Sequence, residues 1–186
     1  MRVPVELSKA YRVLNHGPVT LVTSAAGGRR NIMAASWAMP LDFSPPKVAV
    51  VIDANTYTRQ LVDASGVFAL NIPCRNLAQA TLQAGSIAGG AADKFAALGV
   101  STFAAEKIEV PLVEGCVAWL ECRVLAEPHN QERHDLFVAE VIHAQADDRV
   151  FSRGRWKFED DGLRTLHYLA GGSFFVTGES LDVKIA

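Results

Sequence analysis

The stretch Asn31-Ile-Met-Ala-Ala-Ser-Trp37, with Ser44-Pro-Pro46 and the β-branched run Val48-Ala-Val-Val-Ile52 behind it, decides the fold. Residues 29–37 and 48–53 have the composition of strands, and prolines break the chain between them. Ala26-Gly-Gly28 supplies a hairpin turn that leads into the first of these strands. The pattern therefore predicts antiparallel strands with short connections.

The rest of the chain continues this pattern. Further strands are predicted at residues 19–24, 67–72, 116–126, 136–145, 150–152 and 164–169, short helices at 6–14, 58–64, 76–83 and 92–98, and a polar turn at 127–135. About six strands with short flanking helices indicate an antiparallel barrel, because closure removes exposed edges. A parallel doubly wound sheet is disfavoured, because no G-x-G-x-x-G follows a strand and the late strands have hairpin-sized connections.

Length and composition limit the possible functions. The chain has 186 residues, which we interpret as one domain over residues 1–186, and its net charge of −2 argues against nucleic acid as a partner. The three cysteines form neither a disulfide framework nor a zinc pattern, and we expect buried free thiols in a reducing cytoplasm. Cys116 and Cys122 are predicted to share one face of a strand. No run is long enough to span a membrane, which favours a cytoplasmic location.

The segment Asn55-Thr-Tyr-Thr-Arg59 has the chemistry of a phosphate site. If Asn55 or Thr56 caps the following helix, the free N–H groups of its first turn attract anions. Thr56, Thr58 and Arg59 would add hydroxyl groups and a guanidinium. Taken alone, ordinary helix capping and a surface arginine explain the same residues.

The segment from Met33 to Trp37 has the chemistry of a planar-ring site. Its small side chains would allow an aromatic ligand to approach the backbone, and Trp37 would form a wall, although a Trp buried in the barrel is the commoner outcome. A ring site so close to a phosphate site suggests a nucleotide-like cofactor, and flavin mononucleotide (FMN) is the best candidate.

Three further side chains are candidates for the same site. Lys94 would stabilise negative charge on the cofactor, or would be a surface lysine. His134 would contact nicotinamide or move a proton, or would be solvated in a turn. Tyr168, in the closing segment, would close over the ligand, or would pack within a strand. The remaining histidines have no metal-ligand spacing, so no metal site is predicted.

Together these segments resemble the flavin reductase-like, FMN-binding split-barrel family, in particular its flavoredoxin-like branch. The matching segments, in order, are Asn31-Ile-Met-Ala-Ala-Ser-Trp37, Ser44-Pro-Pro-Lys47, Asn55-Thr-Tyr-Thr-Arg59, Phe68-Ala-Leu-Asn-Ile-Pro73, Asp93-Lys94-Phe95, His134-Asp-Leu-Phe-Val-Ala-Glu-Val141 and Leu166-His-Tyr-Leu-Ala-Gly-Gly172. The resemblance departs at Ala34, where many relatives have Thr or Ser, and at Ala139, where many have Gly.

The resemblance implies a six-stranded antiparallel Greek-key split β-barrel, a homodimer, and FMN held noncovalently near the dimer interface. The residues it implies for cofactor binding are Asn31, Met33, Ala34, Ala35, Ser36, Trp37, Asn55, Thr56, Thr58, Arg59, Lys94 and Tyr168. It places His134, together with Tyr168, on the nicotinamide side.

Three hypotheses about function follow. The first is an NAD(P)H-dependent flavin reductase that transfers hydride to FMN. The second is an FMN-binding electron carrier that does not itself use NAD(P)H. The third is a split-barrel domain that has lost its cofactor.

Overall fold

The computed structural model describes residues 17–90 and 92–183 of the chain. Its strands are β1 (Thr20–Ala26), β2 (Arg29–Ala35), β3 (Ala38–Phe43), β4 (Pro46–Val51), β5 (Val67–Ile72), β6 (Thr102–Ala104), β7 (Pro111–Val113), β8 (Ala118–Val124), β9 (Leu136–Ala146), β10 (Phe151–Ser152), β11 (Arg155–Trp156), β12 (Leu166–Ala170) and β13 (Ser173–Val176). Its α-helices are α1 (Tyr57–Ser65), α2 (Ala78–Ser86), α3 (Lys94–Leu98) and α4 (Pro128–His134). The predicted helix at 6–14 lies outside the described residues. Within the described ranges, no helix is long and apolar enough to cross a membrane.

The main sheet is antiparallel and has seven strands in the order β2-β1-β5-β8-β9-β4-β3. Strand β4 lies beside β9 rather than beside β5, which follows it in the chain, and this is a Greek-key arrangement. The two edge strands, β2 and β3, are joined only by Ser36 and Trp37. Such a connection spans at most about 10 Å, so the sheet must curve until its two edges approach each other without pairing. The predicted antiparallel split barrel is therefore confirmed.

Strand β3 is the element that the sequence pattern did not predict, and it brings the main sheet to seven strands. Pro40 was expected to break the chain, but it lies within β3 opposite Val48, and the register shifts between Pro40 and Asp42. An edge strand accommodates proline because the missing N–H can face away from the neighbouring strand.

The predicted hairpin between β1 and β2 is confirmed. Gly27 and Gly28 have φ values of 56° and 74°, the left-handed conformation that a tight two-residue turn requires. The turn sets the register in which Ser24 lies opposite Asn31 and Thr20 lies opposite Ala35. This register decides which residues of β2 reach the candidate site.

Two predictions for the second half of the chain were wrong. Residues 128–134 form helix α4 instead of a polar turn, since Pro128 begins the helix and Asp135 ends it with φ of 54°. Residues 150–152 and 164–169 were expected to flank one loop as a pair. Instead, β10 pairs with β11 and β12 pairs with β13, so each forms its own short hairpin.

The barrel interior and the layer beneath α2 and α3 form separate apolar clusters. Cys122 lies in the barrel interior, together with Phe68 and Phe137. Cys116 lies in the second cluster, with Phe95 and Leu21. The expected shared face of the two cysteines is therefore wrong, because Cys116 precedes the start of β8. All three thiols are free and buried, as predicted.

Burial of Cys122 makes the stability of the fold sensitive to alkaline pH. Burial raises the pKa of this thiol from its ordinary value of 9.0 to about 12, so between these values the thiol ionises only in the unfolded chain. Because the folded pKa is raised, this contribution to stability is present below pH 9 and is lost as the pH rises. From pH 8 to pH 10 the loss is about 1.4 kcal/mol.

Between pH 8 and pH 10, the unfolding free energy of Cys122→Ala should fall by about 1.4 kcal/mol less than that of the wild-type chain. Urea unfolding under reducing conditions measures both. Comparing the two slopes separates the titration from the cost of the cavity, since the cavity costs the same at both pH values. Parallel slopes for the two proteins would contradict the prediction.

Candidate functional site

A cleft of about 420 Å³ lies along the open edge of β2. The start of α1 forms one wall, and the end of α2 with the loop after it forms the other. Its lining consists of Asn31, Met33, Ala34, Asn55, Thr56, Tyr57, Thr58, Ala84, Gly85, Ser86, Ile87, Ala88, Gly89 and Lys94. Seven of the residues predicted from the sequence are thereby brought together: Asn31, Met33, Ala34, Asn55, Thr56, Thr58 and Lys94.

The position of the cleft follows from the sheet topology. Strand β2 pairs with β1 on one side only, so backbone N–H and C=O groups on its other side have no strand partner. These are the backbone groups that the sequence analysis expected beside a planar ring. Side chains from both faces of β2, such as Met33 and Ala34, reach the cleft because it lies at the strand edge.

The start of α1 forms one end of the cleft, and its free N–H groups suit an anion. Thr56 caps the helix, because its Oγ1 accepts a hydrogen bond from the backbone N–H of Arg59 at 3.2 Å. The same hydroxyl donates to the carbonyl oxygen of Asp53 at 2.8 Å. Since no acidic residue lies in the first turn, the free N–H groups keep their attraction for an anion.

Asn31 joins the strand to this helix. Its side chain is buried, and its Nδ2 donates to the hydroxyl of Thr58 at 2.9 Å. Gly89 packs directly against the pair, since a Cβ atom there would lie 2.8 Å from Asn31 Oδ1 and 2.9 Å from Tyr57 Cβ. The loop can approach β2 and α1 this closely only because position 89 has no side chain.

Lys94 is a buried cation rather than a surface lysine. Only 3% of the residue is exposed, and its Nζ donates to the carbonyl oxygens of Ala84 at 2.7 Å and Ile87 at 2.8 Å. These carbonyls belong to the end of α2, where a cation is favourable. Burial lowers the pKa of the Lys94 ammonium. Two of its three protons hold the loop in place, which leaves one donor for a ligand.

A second pocket of about 200 Å³ is contiguous with the cleft. The two share Ala34, Gly85 and Ser86. The remaining lining residues come from α2, the β12–β13 hairpin, the β2–β3 connection and the residue before β1: Val19, Ser36, Thr81, Leu82, Tyr168 and Phe174. Two more predicted residues, Ser36 and Tyr168, are therefore next to the cleft.

Thr81 is a lining residue that the sequence analysis missed. The side chain is fully buried, and its hydroxyl has no hydrogen-bond partner in the described part of the chain. Hydroxyls in helices commonly donate to the carbonyl four residues earlier, as Ser65 does to Leu61 and Ser86 does to Leu82. A threonine in a helical pattern carries no sequence signal that distinguishes it from these.

Four predicted site residues do not line the cleft or the pocket. Arg59 forms ion pairs with Asp63 at 2.8 Å and Asp135 at 3.0 Å, so its guanidinium is already neutralised. Ala35 packs into the barrel interior. Trp37 is 51% exposed instead of being buried in the barrel. His134 ends α4, with its ring centroid 6.0 Å from that of His129.

Among residues 17–90 and 92–183, no group of three or more His, Cys, Asp or Glu side chains is arranged to hold a metal ion. Lys94 is the single charged residue among those that line the cleft and the pocket. The site is thus a mostly neutral groove with one buried cation and a helix N-terminus at one end.

The chain is similar to several known proteins. A family model described as the flavin reductase like domain matches residues 13–172. The Escherichia coli K12 protein YddH, described as uncharacterized, is 46% identical over 95% of each chain. The reductase component of a 4-nitrophenol 4-monooxygenase/4-nitrocatechol 2-monooxygenase from Rhodococcus opacus is 31% identical over 77% of this chain and 74% of that protein.

Two solved structures are also similar. The FMN-binding domain of a flavin reductases-like enzyme from Shewanella baltica OS155 is 45% identical, with a TM-score of 0.88, over 98% of this chain and 97% of that one. The flavoredoxin of Desulfovibrio vulgaris (Miyazaki F) is 26% identical, with a TM-score of 0.79, over 89% of each chain.

Because Gly89 lies so close to Asn31, we expect substitution of Gly89 to lower the stability of the fold. Gly89→Ala should lower the unfolding free energy by about 1–3 kcal/mol, because the added methyl overlaps Asn31 and Tyr57. Gly178→Ala is the matched control, since a Cβ there meets nothing within 4 Å. It should change stability by about 0.5 kcal/mol or less. Equal effects of the two substitutions, measured by chemical denaturation, would contradict the close approach.

Proposed function

Because the chain belongs to the flavin reductase-like family, we propose that it binds FMN and reduces it with NAD(P)H. The family predicted from the sequence is confirmed by the match over residues 13–172. FMN, the predicted cofactor, is also the one named for the similar Shewanella baltica structure. The use of NAD(P)H is our proposal, supported by the family and by the similarity to a monooxygenase reductase component.

The observation that carries the proposal is the contiguity of the cleft and the pocket along one open strand edge. One end has the start of α1 and the ammonium of Lys94, which suit a phosphate monoester. The other end has small and aromatic side chains with a few hydroxyls, which suit a planar heteroaromatic ring. The residues present therefore fit FMN at both ends.

Each group on the chain has a binding or orienting role. Thr58 and the first N–H groups of α1 would hold the phosphate, with Lys94 as its counterion. Asn31 fixes the distance between β2 and α1 through its bond to Thr58. The open edge of β2 would meet polar atoms of the ring. Bound FMN would supply the redox chemistry, hydride acceptance and onward electron transfer, while the residues of the chain would bind and orient it.

The proposal does not depend on Arg59, Trp37 or His134. Arg59 is occupied by two carboxylates, and helix N–H groups with Lys94 supply the positive end without it. In place of the hydroxyl that many relatives have, Ala34 has a methyl group, so the backbone of β2 and the hydroxyls of the pocket would supply polar contacts to the ring.

We further propose that the chain is a homodimer. Strand β3, at the second edge of the sheet, exposes Met39, Leu41 and Phe43 at 57%, 48% and 93%. An apolar edge strand of this kind is normally covered in solution. If sedimentation analysis at micromolar concentration gave the molecular mass of a single chain, this part of the proposal would be contradicted.

The second candidate function is an FMN-binding electron carrier. It is favoured by the lining of the site, since Lys94 is the single charged residue among the described residues that line the cleft and the pocket. The similarity to a flavoredoxin also supports it. The two candidates differ in whether NAD(P)H reduces the bound flavin.

Anaerobic stopped-flow mixing with NADH and with NADPH separates the candidates. In a reductase, NAD(P)H bleaches the visible absorbance of bound FMN at a rate comparable to enzyme turnover, which is typically about 1–10³ per second. A carrier leaves the flavin oxidised with both dinucleotides while it still accepts electrons from dithionite. A protein that binds no added FMN would contradict both candidates.

Lys94 provides a direct test of the phosphate end. Lys94→Met should weaken FMN binding by about tenfold or more, because it removes the buried cation and releases the loop carbonyls of Ala84 and Ile87. Riboflavin, which lacks the phosphate, should lose less affinity. Lys107→Met removes an exposed lysine that does not line the cleft, so its FMN affinity should match that of the wild-type chain. Equal affinities of all three proteins in a fluorescence titration would contradict the assignment.

A further inference from the structure

We propose that the hydroxyl of Thr81 hydrogen-bonds to the polar pyrimidine edge of the bound flavin, so that this edge of the ring enters the pocket between α2 and the β12–β13 hairpin. The inference rests on the proposed binding of FMN. It goes beyond that proposal because it assigns a further positioning residue and the orientation of the ring.

The first observation is the unpartnered hydroxyl itself. A buried polar group without a hydrogen bond is rare in folded proteins, because it has lost its water and gained nothing in exchange. Thr81 is fully buried, and in the described part of the chain its Oγ1 has no partner. A hydroxyl in a helix usually donates to the carbonyl oxygen four residues earlier, as Ser86 of α2 does to Leu82 at 2.9 Å. Thr81 does not make this bond.

The second observation is that Thr81 lines a pocket that adjoins the cleft. The pocket shares Ala34, Gly85 and Ser86 with the cleft, so a ligand whose phosphate lies at α1 would have its ring on the side of the cleft that adjoins Thr81. A partner supplied by that ligand would satisfy the hydroxyl.

The third observation is the chemistry of the pocket walls. Three residues with hydroxyl groups, Ser36, Thr81 and Ser86, line the pocket. The tilted aromatic pair Tyr168 and Phe174, whose centroids are 5.4 Å apart, lines it as well. One edge of the isoalloxazine ring carries carbonyl and N–H groups, and the opposite edge carries two methyl groups. Only the first can hydrogen-bond to these hydroxyls, whereas the methyl edge would leave Thr81 unpartnered.

The test compares three variants with the wild-type chain in FMN titrations. Thr81→Val keeps the shape of the side chain and removes its hydroxyl, so FMN affinity should fall by roughly five- to tenfold. The visible absorption bands of the bound flavin should also move, because they respond to hydrogen bonds at the pyrimidine carbonyls. Thr81→Ser should restore both the affinity and the bands.

Ser24→Ala is the matched control. Ser24 is the other fully buried serine or threonine whose hydroxyl lacks a partner in the described part of the chain, and it does not line the pocket. Its removal should leave both readouts unchanged. Circular dichroism and urea unfolding check that each variant folds.

Two flavin analogues test the orientation on the unmodified protein. A methyl group on N3 of FMN should weaken binding by about tenfold or more, because it blocks the edge that faces Thr81. Removing the 8-methyl group, at the other edge, should change affinity by about threefold or less. The reverse order of the two effects would overturn the inference.

The outcomes distinguish this inference from the proposed function. If the wild-type chain binds no FMN, the proposed function fails and the inference fails with it. If the wild-type chain binds FMN but Thr81→Val binds it with the same affinity and the same absorption bands, the inference alone fails.

Discussion

The open edge of β2 is the constraint on which the candidate site depends. Strands β2 and β3 lie at opposite edges of a seven-stranded sheet and are joined by two residues, so the barrel curves until they meet without pairing. One side of β2 is therefore left without a strand partner for its backbone N–H and C=O groups. The cleft follows that edge, so a bound planar ring would supply the partners that a further strand would otherwise provide.

Polar contacts of buried groups give this edge its shape. Asn31 bonds to Thr58 and joins β2 to α1, while Lys94 bonds to two carbonyls and holds the loop after α2. Both contacts are buried, where exchange with water does not compete. Gly89 lets the loop close on Asn31. These contacts fix both walls of the cleft in the polypeptide itself, which is the preorganisation that favours tight ligand binding.

Much of the fold was predictable from local patterns, because strand composition, Gly-Gly turns and helix caps act over a few residues. The β1–β2 hairpin, the cap at Thr56 and the helix that ends at Gly99 were all of this kind. Strand β3 and helix α4 were missed for different reasons. Pro40 was taken as a break in the chain, although an edge strand opposite Val48 accommodates it. The segment of α4 was taken as a turn because it is polar, although Pro128 and Asp135 supply local start and stop signals for a helix.

The site was predictable in the residues whose chemistry shows in their type, such as Asn31, Thr58 and Lys94, and the tertiary structure brings them to one cleft. Other residues required the structure, because their roles depend on contacts across the fold. Arg59 meets Asp135, far along the chain, and is neutralised, while Thr81 is buried without a partner beside the cleft. The sequence by itself therefore determined the family and most of the strand pattern, and it predicted residues that the structure brings to one cleft. Only the tertiary structure decided which polar groups are free to meet a ligand, because pairing and burial depend on segments that are close in space and distant in sequence.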